Sequence, residues 1–220
     1  MGPIFADRHD AGRRLGRALA RYGGRGDVTV LGLARGGVVV AYEVAEALQA
    51  PLDVLVVRKL GVPGHEELAM GAIASGGVRV LSRDLIGQLG ISGDQLAAVT
   101  AAETAELARR ELAFRGGRGP LDVRGRTVLL VDDGLATGST MRSAAEALRQ
   151  LSPARVVVAV PVGAPETCDA FRGEVDEVVC GVTPEPFYGV GMWYEDFSQT
   201  SDDEVRMLLE RSRTRSEVGA

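Results

Sequence analysis

The chain has 220 residues, 45% of them hydrophobic, and 25 Lys and Arg against 30 Asp and Glu give a net charge of −5. That length and apolar content support one packed domain, or one domain with an appendage. The acidic balance lacks the general basic field that non-specific nucleic-acid binding needs and argues against a nucleic-acid partner.

No apolar run approaches the roughly 18 residues that a membrane span requires. The N-terminus, Met-Gly-Pro-Ile-Phe-Ala-Asp-Arg, lacks the long apolar core of a signal peptide. The expectation is a soluble, cytoplasmic protein. Cys168 and Cys180 show no metal-ligand spacing and are too few for a disulfide scaffold. Both sit among apolar residues and read as buried free thiols.

Residues 10–22 read as an amphipathic helix. Ala11, Leu15, Ala18, Leu19 and Tyr22 share a face, and Arg13, Arg14, Arg17 and Arg21 take the other. Gly23-Gly24-Arg25-Gly26 ends it. A strand follows at 28–34, then Arg35-Gly36-Gly37, then an apolar helix at 38–48. The two glycines let backbone approach a ligand closely, and Arg35 supplies a fixed positive charge.

Residues 53–57 are another buried strand, running into Arg58 and Lys59. In 60–70, Gly61, Pro63 and Gly64 argue against regular structure. Two cations followed by a pliable loop suit a lid over a polyanion. His65 on that loop is a candidate proton donor. Residues 71–75 and 78–81 read as two short strands turning at Gly76-Gly77. Ser92 with Gln95 has the spacing of a capping box. It opens a long Ala-rich helix to about residue 114, with Glu106 and Arg110 placed for an i,i+4 pair. Its apolar pattern is poorly periodic, which suits an excursion packed beside a sheet. Residues 116–120 are a linker.

The most informative stretch is 128–141, Val-Leu-Leu-Val-Asp-Asp-Gly-Leu-Ala-Thr-Gly-Ser-Thr-Met. Its first four residues suit a strand buried on both faces. A loop of small residues and an Ala-rich helix follow the Asp pair. Small residues expose backbone N–H groups, and the positive end of the next helix makes such a loop an anion site. Thr137, Ser139 and Thr140 add hydroxyl donors. Asp132 and Asp133 would repel a phosphate that touched them, so they face hydroxyls or a hard cation such as Mg²⁺ on the same ligand. A phosphate at one end with a diol nearby describes a ribose 5-phosphate.

Further strands fall at 155–160 and 175–182, with a helix at 165–171 that starts at Pro165. The alternation implies an α/β doubly wound parallel sheet with ligands at the C-terminal ends of its strands. Residues 183–198 gather Phe187, Tyr188, Trp193, Tyr194 and Phe197 among Gly and Pro, where they can stack a planar ring or anchor the tail to the core. Ser201 and Glu204 form another capping box before a last helix, to about 213, with a frayed end.

Residues 128–141 resemble the phosphoribosyl pyrophosphate (PRPP) motif of type I phosphoribosyltransferases. Gly134 departs from it, since that position is usually a larger aliphatic residue. Gly32-Leu-Ala-Arg-Gly-Gly-Val38 resembles the pyrophosphate loop of that family, and 58–70 looks like its flexible catalytic loop. The run Trp193-Tyr-Glu-Asp-Phe197 resembles the tail of one subgroup of predicted phosphoribosyltransferases.

The resemblance implies a single type I domain, with a core at about 28–182, a small hood or tail at about 183–220, and a flexible lid loop. It implies Mg²⁺-dependent transfer of the ribose 5-phosphate of PRPP to a nitrogenous base, with release of pyrophosphate. Ala136, Thr137, Gly138, Ser139 and Thr140 would hold the 5-phosphate. Asp132 and Asp133 would hold the ribose hydroxyls, stabilise charge at C1 and approach the Mg²⁺ that PRPP carries. Arg35, Gly36, Gly37, Arg58 and Lys59 would take the pyrophosphate, and Phe187, Tyr188 and Trp193 the base. Family members often form dimers, so a homodimer is expected. The alternative readings are a regulatory protein that binds PRPP without turnover and a hydrolase of phosphoribosyl compounds.

Overall fold

The computed structural model describes residues 2–117, 119 and 121–218. In chain order the strands are β1 (Val28–Leu33), β2 (Leu52–Leu55), β3 (Val57–Val62), β4 (His65–Ala74), β5 (Val78–Leu81), β6 (Thr127–Val131), β7 (Arg155–Val162) and β8 (Glu177–Val182). The helices are α1 (Arg8–Ala18), α2 (Gly36–Leu48), α3 (Arg83–Gln88), α4 (Gly93–Arg115), α5 (Ser139–Gln150), α6 (Pro165–Phe171) and α7 (Asp202–Val218). Among the described residues, β2-β1-β6-β7-β8 form a parallel sheet and β3-β4-β5 a separate antiparallel one.

The period of two in the central strands divides their side chains between two cores. Val28 and Val30 of β1, Leu129 and Val131 of β6, and Val157 of β7 face α1, α2 and α7. Leu31 and Leu33, Val128 and Leu130, and Val156 and Val158 face α5 and α6 on the other side. Helices therefore cover both faces, as the alternation of elements requires.

The excursion between β2 and β6 differs from the sequence expectation. Residues 58–70 are a β-hairpin, not a loop: β3 and β4 pair from Val57↔Ala74 to Val62↔His65. Pro63 and Gly64 are confined to its turn, and Gly64 takes a φ of +79° that suits glycine. Leu60, Val62 and Met70 are buried. Gly61 lies at a register shift, so it bends the ladder without ending it.

Helix α3 had no sequence signal strong enough to mark it. α4 has the capping box its sequence suggested: the Ser92 hydroxyl accepts from Gln95 N–H at 3.2 Å, and the Gln95 carboxamide oxygen from Ser92 N–H at 2.9 Å. Of its residues only Leu107 and Phe114 are buried, which explains the weak periodicity. Glu106 pairs with Arg110 at 2.7 Å. Removing the cap with Ser92→Ala should lower stability by about 1 kcal/mol, read from urea unfolding.

Two further expectations need correction. Ala18 is exposed and does not share the buried face of α1. The cysteines are not free thiols: Cys168 of α6 and Cys180 of β8 form a disulfide, because the helix packs on the strand with the two Cα atoms 6.6 Å apart. In the linker read at 116–120, Arg118 and Pro120 lie outside the described residues, as does the end of the tail at 219–220. Among the described residues no helix is long and apolar enough to cross a membrane.

Candidate active site

β1 and β6 are parallel neighbours, with Gly32 opposite Val131. From β1 the chain moves outward to β2, and from β6 it moves the other way to β7. The loops after β1 and β6 thus diverge at the switch point of the sheet, where open α/β folds form a ligand crevice. This places 34–37 beside 132–140. The Ala34–Arg35 peptide is cis.

The start of α2 packs against the acid pair. A Cβ on Gly36 would overlap Asp133 Oδ2, and one on Gly37 would lie 2.8 Å from Asp132 Oδ1 and from Val131 O. Both glycines are needed for this close approach.

Each carboxylate spends one oxygen on the protein. Asp132 Oδ1 accepts the Asp133 N–H at 2.9 Å, and Asp133 Oδ2 accepts Arg8 Nε at 2.8 Å. Asp132 Oδ2 and Asp133 Oδ1 have no donor among the described residues. Burial, reinforced by the charge of Asp133, holds the Asp132 carboxyl well above the usual carboxylate range. Burial raises Asp133 as well, and Arg8 opposes the rise. The pair therefore gains from hydroxyl donors or a cation in the crevice. No group of three or more His, Cys, Asp or Glu able to hold a metal occurs among the described residues. Two carboxylates alone fit Mg²⁺ bound mostly through substrate oxygens and water.

The loop at 134–138 has its carbonyls and its backbone braced from behind. Leu135 N–H donates to Val162 O at 2.9 Å, and Ala164 N–H to Leu135 O at 2.8 Å. Thr167 Oγ1 donates to Ala136 O at 2.6 Å, and Arg142 to Thr137 O at 2.9 Å. The N–H groups of Ala136, Thr137, Gly138 and Thr140 find no acceptor among the described residues. Gly138, with φ +73°, caps α5 at its positive end, and a Cβ there would overlap the Phe171 ring. The result is a rigid nest of donors with exposed Thr137, Ser139 and Thr140 around it.

Arg58 and Lys59 line a cleft of about 500 Å³ between the β3–β4 hairpin and α4, with Thr140 on its wall. As neighbours on a strand they point to opposite faces. Arg58 donates to Glu103 of α4 at 2.7 Å, whereas Lys59 is exposed and makes no ion pair among the described residues. Arg35 reaches Asp202 of α7 at 3.4 Å. His65 is exposed at the hairpin tip and does not line that cleft, although its neighbours Val62, Pro63 and Glu66 do.

The tail divides its aromatic residues by role. Tyr188 is 77% exposed, whereas Trp193 is only 6% exposed and packs with Phe5, Ala11 and Val162. Phe187 stacks on Trp193 at 6.2 Å. Trp193 thus anchors the segment and backs Phe187, leaving Tyr188 as the open ring. Val190 fills the space beside Gly134, where a Cβ would overlap it. That contact accounts for the glycine at a position that is otherwise a larger aliphatic residue. Tyr194 donates its hydroxyl to Asp133 O at 2.6 Å, and burial raises its phenol above the ordinary value.

Sequence reasoning missed Arg8, Val190 and Tyr194 as parts of this site. Arg8 is one arginine of a basic helix, 125 residues from Asp133, and no spacing rule could join them. For Tyr194 the run of aromatic residues was the available signal.

Three comparisons agree with this geometry. Residues 6–187 match the family described as phosphoribosyl transferase domain. The chain is 50% identical over 218 residues to a Mycobacterium tuberculosis protein named "Putative phosphoribosyl transferase", covering 99% of this chain and 49% of that protein. The chain therefore spans about half the length of that relative. Its structure is similar to that of TT1426 from Thermus thermophilus, with a TM-score of 0.83, 42% identity, and coverage of 94% of this chain and 98% of that one. A shorter match, 34% identity over 131 residues, joins it to the bifunctional protein PyrR of Chloroflexus aurantiacus, covering 55% of this chain and 62% of that protein. The chain belongs to the phosphoribosyltransferase family, with the type I α/β fold.

Proposed function

We propose that this chain transfers the ribose 5-phosphate of PRPP to a nitrogenous base and releases pyrophosphate, with Mg²⁺ bound through PRPP. The observation that carries the reading is the pairing of two functions across one crevice. The N–H groups of Ala136, Thr137, Gly138 and Thr140, which have no acceptor among the described residues, lie beside two carboxylates that each keep one oxygen without a donor.

In this proposal the N–H groups and hydroxyls of 136–140 hold the 5-phosphate. Asp132 Oδ2 and Asp133 Oδ1 accept the ribose 2- and 3-hydroxyls. As the bond at C1 lengthens, the fixed carboxylate charge stabilises the positive charge that develops there, at no cost of reorganisation. Arg35, the N–H groups of Gly36 and Gly37, and Lys59 meet the departing pyrophosphate. Arg58 joins them on leaving Glu103. Bound Mg²⁺ would neutralise pyrophosphate charge. Tyr188 and Phe187 offer ring faces to the base. The acceptor supplies the nucleophile, so the chain needs no nucleophilic side chain.

We further propose that the chain is a single domain, with a core at about 28–182 and a hood at about 183–220, that works in the cytoplasm as a homodimer. Sedimentation tests the dimer.

Calorimetric titration with Mg²⁺–PRPP tests the reading. Wild type should bind saturably, and Asp132→Asn/Asp133→Asn should show no binding while remaining folded. A panel of bases should then give pyrophosphate release with at least one. No binding by folded wild type would remove the phosphoribosyl assignment. Binding without release for any base would favour a PRPP-binding regulator.

A further inference from the structure

Arg8 lies outside the motifs that mark the site, yet its side chain is only 12% exposed and makes three contacts with two separate parts of the chain. Its Nε donates to Asp133 Oδ2 at 2.8 Å and its NH1 group to Ser198 O at 2.7 Å. Its guanidinium lies 3.9 Å from the centre of the Phe197 ring. The N-terminal arm that leads to Arg8 is itself joined to the tail: Glu195 N–H donates to Phe5 O and Asp196 N–H to Ala6 O, both at 2.9 Å.

The contact with Asp133 is enclosed. A Cβ on Gly36 would overlap Asp133 Oδ2 and lie 2.8 Å from Arg8 Nε. The bare start of α2 is thus shaped around an occupied arginine–carboxylate pair.

We propose that Arg8 is a positioning residue for sugar binding: it fixes Asp133 through Oδ2 so that Oδ1 alone is presented to the ribose diol, and it ties that presentation to the seating of 194–198. The inference rests on the PRPP reading of the site. The chemistry calls for arginine. One planar fork donates in two directions while its face stacks on Phe197. A lysine ammonium retains the charge but has no planar face to stack, and a single nitrogen at the Nε position cannot also reach Ser198 O.

The test is calorimetry on wild type, Arg8→Lys, Arg8→Ala and Phe197→Leu, each with Mg²⁺–PRPP and, separately, Mg²⁺–pyrophosphate. Pyrophosphate has no diol for Asp133 Oδ1 to accept from, and repeating its titration without Mg²⁺ removes the remaining contact that the acid pair could make through the metal. Groups that orient a ligand-binding side chain are worth ten- to a hundredfold, so both Arg8 variants should weaken PRPP by about tenfold or more. Pyrophosphate affinity should stay within about twofold, as for substitutions away from the groups bound. Phe197→Leu should give a smaller loss confined to PRPP. Arg8→Lys, which keeps the buried charge balanced, covers the case in which Arg8→Ala does not fold.

Unchanged PRPP affinity in the folded Arg8 variants would overturn the inference. Equal losses for both ligands would also overturn it, since a general structural role acts on both. Folded wild type that fails to bind PRPP would instead sink the phosphoribosyl reading and this inference with it.

Discussion

Asp133→Asn should lower kcat/KM for PRPP by about 100-fold or more, the scale of losing one preorganised charge-stabilising group. The change is nearly isosteric, so the packing against Gly36 should survive. The carboxylate charge proposed to lie next to C1 is lost, and Arg8 is left facing an amide. Arg8 Nε has no other acceptor among the described residues, and a buried cation deprived of its partner is costly. The control is His65→Ala. His65 is exposed at the hairpin tip and its side chain makes no hydrogen bond or ion pair among the described residues, so its loss should stay within about threefold, the range of a surface substitution. Steady-state pyrophosphate release, with melting curves to confirm folding, reads both. Comparable losses would mean that the acid pair does not carry the charge stabilisation assigned to it.

Gly134→Leu should destabilise the protein by about 1–3 kcal/mol, the usual cost of overpacking. A leucine is close to what the family motif has at this position, so the motif alone would forecast a neutral or improving change. Geometry gives the opposite sign, because a Cβ at 134 overlaps Val190 Cγ1 and lies 2.7 Å from Cγ2. Relief requires the turn at 190–193 to move, and Tyr194 would move with it, away from Asp133 O. PRPP affinity should therefore fall together with stability. Val190→Gly added to Gly134→Leu should recover most of both, as expected for two positions that share one space. Urea unfolding of wild type, both single variants and the double variant measures the coupling. Additive effects would show that the two positions do not compete.

Much of the framework was legible because single physical signals were strong. The unbroken apolar run of residues 128–131 suited a strand buried on both faces, and β6 is one. Pro165 marked the first turn of α6, and Ser92 with Gln95 marked the start of α4 to the residue. The hairpin at 57–74 was hidden because Pro63 and Gly64 read equally as breakers of structure and as a two-residue turn. Only cross-strand pairing decides between those readings. At the site, the acid pair and the donor loop were legible because they are contiguous in sequence. Their partners were not: Arg8 reaches Asp133 across 125 residues and Tyr194 across 61. The aromatic tail was legible in composition but not in role, since burial alone separates the anchor Trp193 from the open Tyr188.

The pairing of the N-terminal arm with the tail bears on how new specificities can arise on this scaffold. Residues 183–198 look like a cassette that could be exchanged between relatives. Yet Phe5 and Ala6 hold the backbone of 193–196, Arg8 holds Ser198, and position 134 must match residue 190. A chimaera that inherits the tail from one parent and the other two elements from another would have a mismatched seam across the carboxylates. Functional hybrids should therefore inherit three sequence-distant pieces as a set, and recombination at a single crossover would rarely deliver them together.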